Sequence, residues 1–311
     1  DLIGKIEGVD MDEVRKALGE EQINYLGYSY GTSLGQEYAR LFPTKVRAMI
    51  LDGVVDHEPD GITTANSQAA GFETALNSYL EHCEAEGCGL SGPADEVIDA
   101  VSAEAERQPI ASPEANREAT PGVVSLALAQ ALYSEQLWSQ LSRALRDAED
   151  GDGSGLVDLA DQYLGRDADG QYSGGFEIYF AVSCLDETWP ADPQEMIDAA
   201  EEAEVATPRF GGAILMDYLR CSLWPADAQP LSAVPADIEG LAPILVVSTT
   251  NDPATPYENG VAVAEQIPGA VLVTNEGDGH TIVGQGKPCI DEVAVEYLTD
   301  LTLPDDGLVC S

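Results

Sequence analysis

The 311-residue chain carries 14 Lys+Arg against 56 Asp+Glu, a formal charge of −42 at pH 7, and 44% of its residues are hydrophobic. A field of that sign repels phosphate backbones and anionic lipid, which excludes nucleic acid as a partner, and no uninterrupted apolar run approaches the length of a membrane span. It favours cationic ligands, free amino termini among them, over the short range that salt allows, although most of these carboxylates serve only to keep the surface solvated.

At the amino terminus, Asp1-Leu2-Ile3-Gly4-Lys5 shows no basic patch running into an apolar stretch, so no signal peptide is visible. Asp10-Met11-Asp12-Glu13 reads as a capping box, with Asp10 as N-cap, opening a helix through Leu18 that Gly19 stops. The run Ile23-Asn24-Tyr25-Leu26 is a short buried strand, and residues 32–41 form a helix that cannot pass Pro43. Between them stands Gly27-Tyr28-Ser29-Tyr30-Gly31. A serine at the centre of G-x-S-x-G, between a strand and a helix, is the nucleophile elbow of α/β-hydrolases: the turn strains the serine and presents its Oγ at the carboxyl end of a sheet. The flanking glycines let strand and helix approach without Cβ clashes. The competing reading is a Gly-rich turn with an incidental serine. Val46-Arg47-Ala48-Met49-Ile50-Leu51 is the next buried strand, and strand, helix, strand implies a parallel pair with a right-handed crossover.

From about His57 to Pro235 the texture turns helical. Residues 63–83, 94–107, 123–147, 156–164 and 193–204 carry helical spacing of Ala, Leu, Val and Tyr, separated by Pro- and Gly-rich joints at 108–121 and 151–155. The α/β texture returns with the strand Pro243 to Ser248, which ends at Asn251-Asp252-Pro253. A helix over 257–266, a strand over 270–274 running out into Gly277-Asp278-Gly279-His280, and a closing helix over 291–300 follow. The segments are therefore a core piece at 1–56, a helical cap at 57–235 and a second core piece at 236–311. Together they make an α/β fold, a mostly parallel sheet with a large helical insertion.

Acyl transfer by serine needs a base to take the hydroxyl proton and a carboxylate to hold that base in its working tautomer. In α/β-hydrolases these follow in the order Ser, acid, His, and Ser29, Asp252 and His280 keep that order, the latter two just past the ends of neighbouring strands. Asp52 also ends a strand and is the rival acid; Asp252 is preferred because its strand lies nearest in sequence to His280. His57 and His82 fall in the insertion and read as structural or solvated. Tyr30 N–H is one oxyanion donor. The second normally comes from a loop after an earlier strand, and only about twenty residues precede the elbow strand. The first strands of the sheet and the second donor are thus expected from an amino-terminal portion of the same protein that is absent from this chain.

Six cysteines stand at Cys83, Cys88, Cys184, Cys221, Cys289 and Cys310, none with a metal-ligand spacing to His57, His82 or His280. Disulfides in an oxidising compartment are expected, with no metal and no cofactor. Fifteen pairings are open. Local closure favours Cys83 with Cys88 and Cys289 with Cys310, which leaves Cys184 with Cys221.

The stretches Tyr25-Leu26-Gly27-Tyr28-Ser29-Tyr30-Gly31-Thr32, Leu51-Asp52-Gly53-Val54-Val55-Asp56, Ala181-Val182-Ser183-Cys184-Leu185-Asp186, Cys221-Ser222-Leu223-Trp224-Pro225, Asp252-Pro253-Ala254-Thr255-Pro256 and Gly279-His280-Thr281 carry a family likeness. With them the chain resembles the secreted actinobacterial α/β-hydrolases of the tripeptidyl aminopeptidase and prolyl aminopeptidase type. The resemblance implies Ser29 as nucleophile, Asp252 as acid, His280 as base, a helical cap over the site and the Cys184–Cys221 pairing. It also implies release of short peptides or residues from a free amino terminus, whose ammonium an acidic cap residue would bind. Asp186 and Glu187, beside a cysteine, are the candidates, against the alternative of two solvated acids. The same triad serves an esterase or amidase acting on small natural products. A non-catalytic binding protein that kept the fold is the remaining reading.

Overall fold

The computed structural model describes residues 3–113 and 117–311, with side chains described from Gly8 onward. It opens with α1 (Ile3–Leu18), β1 (Ile23–Tyr28), α2 (Tyr30–Leu41) and β2 (Val46–Asp52). Helix α1 starts well before the supposed capping box, so Asp10 is an internal residue and not an N-cap. The carboxylate of Asp12 instead pairs along the helix with Arg15 at 2.7 Å and Lys16 at 2.9 Å. Gly8 is tolerated in the helix interior because it lies against α2: a Cβ there would sit 3.4 Å from Glu37 Cγ and 3.5 Å from Leu41 Cδ1. The helix ends as the sequence predicts, with Gly19 at φ 75° and the two reverse bonds Gly19 N to Lys16 O and Glu20 N to Arg15 O of a Schellman motif.

Next come α3 (Gly61–His82), a π-helical turn at Cys83–Gly87, and α4 (Ala94–Arg107). The described residues of the joint at 108–121 are not all loop. They contain an antiparallel pair, β3 (Ile110–Ser112) and β4 (Arg117–Ala119), that buries Ile110, Ser112 and Ala119. The helix expected over 123–147 is two helices, α5 (Pro121–Leu132) and α6 (Trp138–Glu149). Ser134 breaks it: its backbone is extended and its hydroxyl accepts from Gln136 N, starting a short 3-10 turn, which is how serine competes with a continuing helix. Helices α7 (Ser154–Tyr163), α8 (Gly175–Asp186), α9 (Pro193–Ala206) and α10 (Gly211–Ser222) follow, of which α8 and α10 have no counterpart in the sequence reading.

The chain closes with β5 (Leu245–Asn251), α11 (Tyr257–Gln266), β6 (Val271–Asp278), α12 (Pro288–Asp300) and β7 (Leu308–Cys310). Strands β1, β2, β5, β6 and β7 form one sheet in that order, every pair parallel. Among the described residues no strand pairs with the outer edge of β1. The strands read as unbroken apolar runs because both faces are covered. On one face Met49, Leu51 and Val246 pack with Tyr38 of α2 and Val263 of α11, and on the other Ala48, Ile50, Val247 and Val273 pack with Ile290 and Tyr297 of α12.

Two compact units divide the chain, one of Asp1–Gly71 with Phe180–Ser311 and the other of Phe72–Tyr179. The first holds the sheet together with α9 and α10. The second is a helical bundle with a core that includes Leu76, Ile98, Leu132, Leu141, Leu145, Leu156 and Leu159. Three disulfides, Cys83–Cys88, Cys184–Cys221 and Cys289–Cys310, account for all six cysteines. The second joins α8 to α10 and the third joins α12 to β7.

Candidate active site

Ser29 occupies the turn between β1 and α2 at φ 53° and ψ −124°, a left-handed conformation that is sparsely populated for any residue other than glycine. The two motif glycines do different work. A Cβ on Gly27 would stand 2.5 Å from Gly31 O and 2.7 Å from the Tyr25 ring, whereas one on Gly31 would meet only Tyr25 Oη at 3.6 Å. Gly35, one turn further along α2, is the second position that needs a bare Cα, being 2.7 Å from Tyr25 and 2.9 Å from Leu51 by the same measure. The turn is fastened by Thr32, whose N–H and hydroxyl both donate to Ser29 O at 2.8 and 2.6 Å, and by Ser29 N donating to Asp52 O at 3.0 Å. Tyr30 is the first residue of α2, so its amide belongs to the set of N–H groups at the positive end of the helix.

Asp252 follows directly on β5 and His280 lies on the loop after β6, so parallel pairing carries both to the same edge of the sheet as Ser29. His280 Nδ1 is 2.9 Å from both carboxylate oxygens of Asp252. That carboxylate is buried and held in turn by the amides of Ala254 and Thr255, both at 2.9 Å, and by the Thr255 hydroxyl at 3.0 Å. With Nδ1–H donating to Asp252, the lone pair of the imidazole sits on Nε2, the arrangement a general base requires.

Asp52, the rival acid, is wholly buried and takes another part. Its Oδ2 accepts the amides of Ile282 and Val283 at 2.7 and 2.8 Å, and burial pushes its carboxyl up to about 6 despite those bonds. Tyr28, the last residue of β1, donates its hydroxyl to Val283 O at 2.8 Å. Neither tie is visible in the sequence, because the partners lie more than two hundred residues apart.

Neither candidate ammonium-binding acid is a freely exposed side chain. Asp186, at the end of α8, is buried and its Oδ2 accepts the hydroxyl of Tyr30 at 2.8 Å, which links it to the residue after Ser29. Glu187 has Oε2 enclosed with no hydrogen-bond partner among the described residues. Burial first, then the neighbouring Asp186 and Asp60, push its carboxyl up to about 8, so it is largely neutral at pH 7. Close by in sequence, Trp189 stacks on Tyr218 at 4.5 Å and donates its indole N–H to Ser183 O. His57 and His82 stand outside this constellation. Burial lowers the pKa of His57, and the His82 ring packs on Trp138 at 5.1 Å. Among the described residues no cluster of His, Cys, Asp and Glu is arranged to hold a metal ion, and no helix is long and apolar enough to cross a membrane.

Residues 204–310 match the family model described as TAP-like protein. Three curated relatives align with nearly the whole chain. Serine protease Hip1 of Mycobacterium tuberculosis is 38% identical over 97% of this chain and 60% of its own length. Carboxylesterase B of Mycobacterium tuberculosis is 41% identical over 97% and 59%. Tripeptidyl aminopeptidase of Streptomyces lividans is 32% identical over 93% and 54%. The chain thus spans between 54% and 60% of the length of the relatives it matches.

Proposed function

We propose that this chain, which is similar to serine protease Hip1 and to tripeptidyl aminopeptidase, carries the catalytic centre of a serine hydrolase in which Ser29 is the nucleophile, His280 the base and Asp252 the carboxylate that orients the base. The observation that carries this reading is the Asp252–His280 pair, set at strand ends on the same sheet edge as the strained Ser29 turn.

In this mechanism His280 Nε2 takes the Ser29 hydroxyl proton as Oγ adds to the substrate carbonyl carbon. The carbonyl π electrons move onto oxygen, and the Tyr30 N–H at the start of α2 stabilises the resulting oxyanion. Collapse expels the leaving amine or alcohol, which takes the proton from the imidazolium and leaves an acyl-Ser29. Water then adds by the same route, with His280 again as base, and the acid is released with Ser29 restored. The second oxyanion donor is assigned to the part of the protein that the relatives carry beyond the aligned region. The outer edge of β1, which pairs with no strand among the described residues, supports the same assignment, as does a groove of about 710 Å³ beside it, whose lining includes Met11, Val14, Leu18, Ile23 and Leu34, where that part would add its strands.

The substrate reading is exopeptidase action, releasing short peptides or residues from a free amino terminus, with Asp186 and Glu187 supplying the selecting carboxyls. Its support is Glu187: a largely neutral carboxyl with one enclosed, unused oxygen is a site that an arriving ammonium can ionise and pair with. The relative named carboxylesterase B, at 41% identity, favours esterase or amidase action as the second reading. A panel of matched peptides with free and blocked amino termini, together with simple aryl esters, separates the two. Exopeptidase action predicts cleavage confined to free termini, and equal cleavage of both peptide forms rejects it. The three disulfides support a secreted or cell-envelope location.

A further inference from the structure

The Asp252–His280 pair fixes the ring of His280 but not the distance of that ring from Ser29, which depends on how the turn after β6 is held against the turn after β1. One residue touches both. The main-chain carbonyl of Asp52 accepts the Ser29 N–H at 3.0 Å, and its Oδ2 accepts the amides of Ile282 and Val283, the second and third residues after His280, at 2.7 and 2.8 Å. The turn so held is a strained one. Gly279 lies at φ 108° and Thr281, a β-branched residue, at φ 59°, a conformation that persists only where the surroundings over-determine it. Gly53, next to Asp52, completes the fit: a Cβ there would stand 3.0 Å from His280 Cε1 and 3.0 Å from Thr281 Cγ2. The Tyr28 hydroxyl adds a tether from the nucleophile strand to Val283 O at 2.8 Å.

We propose that Asp52 is a positioning residue that sets the nucleophile and its base against each other, its carbonyl holding the Ser29 elbow and its carboxylate holding the His280 turn. The proposal rests on the serine-hydrolase reading for its catalytic consequence, but not for the pinning of the turn. It separates Asp52 from the role of triad acid, which requires a carboxylate at His280 Nδ1, a place that Asp252 fills. Burying an acid beside Asp252 and His280 is costly, as the raised pKa of Asp52 shows, and the backbone bonds it makes offset part of that cost.

The distinction is sharp under amidation. An asparagine keeps the acceptor oxygen that two backbone N–H groups need, but at a triad acid it stabilises the wrong histidine tautomer. The test is the rate at which a fluorophosphonate probe acylates Ser29 in the intact protein and in Asp52→Asn, Asp52→Ala, Tyr28→Phe and Asp252→Asn, together with hydrogen exchange at the Ile282 and Val283 amides. Asp52→Asn is expected to label within about fivefold of the native rate. Asp52→Ala should label about 30- to 100-fold more slowly at unchanged half-saturating probe concentration, the scale of an ångström-sized misplacement, and Asp252→Asn should label over about a thousandfold more slowly. Tyr28→Phe, at a partly exposed side chain that leaves the core intact, should cost about three- to tenfold, so the proposal stays testable where Asp52→Ala does not fold. Exchange at Ile282 and Val283 should quicken at least about tenfold in Asp52→Ala and stay near native in Asp52→Asn. Labelling of Asp52→Ala at the native rate overturns the proposal, and so does Asp52→Asn labelling as slowly as Asp252→Asn. Absence of label on native Ser29 rejects the serine-hydrolase reading instead, and the exchange arm then decides the pinning, unchanged exchange in Asp52→Ala overturning it.

Discussion

Replacing Glu187 by glutamine removes a carboxyl whose ordinary value of 4.5 is raised to about 8 by burial and by Asp186 and Asp60. A group whose pKa is higher in the folded than in the unfolded state gives its full contribution to stability below the unfolded value and loses it as pH rises toward the folded one. Glu187 therefore destabilises the native protein progressively between about pH 4.5 and pH 8. At pH 7 the unfolded side chain is ionised and the folded one is mostly neutral, a difference worth about 3 kcal/mol, approaching 5 kcal/mol above pH 8. Glutamine titrates in neither state and nearly preserves the shape. Glu187→Gln should thus melt several degrees above the native protein at pH 7.5, with the gap closing near pH 4.5. Thermal unfolding at the two pH values measures it. Equal melting temperatures at pH 7.5, or a gap that does not shrink on acidification, refute the account of Glu187 as an enclosed, strained acid. A residue that lowers stability where a simple amide would raise it is the kind of cost binding sites carry. The same variant should raise KM for free-amine peptides while leaving ester substrates unaffected.

The elbow glycines give a paired test. Gly27→Ala drives a methyl to 2.5 Å from the Gly31 carbonyl and should cost about 3 kcal/mol or more of stability in denaturant unfolding, while Gly31→Ala, with its nearest atom at 3.6 Å, should stay within about 1 kcal/mol. Replacing both Cys184 and Cys221 by serine opens a loop with a sequence separation of 37 and should cost about 3–4 kcal/mol. Because that bond lies at α8 beside Asp186 and Glu187, KM for free-amine peptides should rise more than KM for esters. An equal rise in both detaches the disulfide from amine binding.

What the sequence revealed follows from where each signal is stored. The strands at 23–28, 46–52 and 245–251 are legible because a parallel sheet covered on both faces demands unbroken apolar runs, and the chemistry-bearing residues sit at the ends of those runs. Helix α11 has the limits that its pattern predicts. Helix α8 was hidden because its sequence, Gly-Phe-Glu-Ile-Tyr-Phe-Ala-Val-Ser-Cys-Leu-Asp, is apolar on nearly every side and shows no helical period. The Asp10 capping box was a valid local signal overridden by packing of α1 along α2. At the site, the order Ser29, Asp252, His280 is written along the chain, but the work of Asp52 is not, since a carboxylate at a strand end looks the same whether it meets a histidine or two distant amides. The enclosure of Glu187 is equally invisible, because burial is a property of the folded neighbours.

The account depends most on Ser29 being a nucleophile driven by His280. Treating the intact protein with a fluorophosphonate probe and mapping the modified peptide tests that directly. The account predicts a single modification on Ser29 that disappears in Ser29→Ala and slows at least about a thousandfold in His280→Ala. A native protein that takes no label, or takes it on a residue other than Ser29, contradicts it.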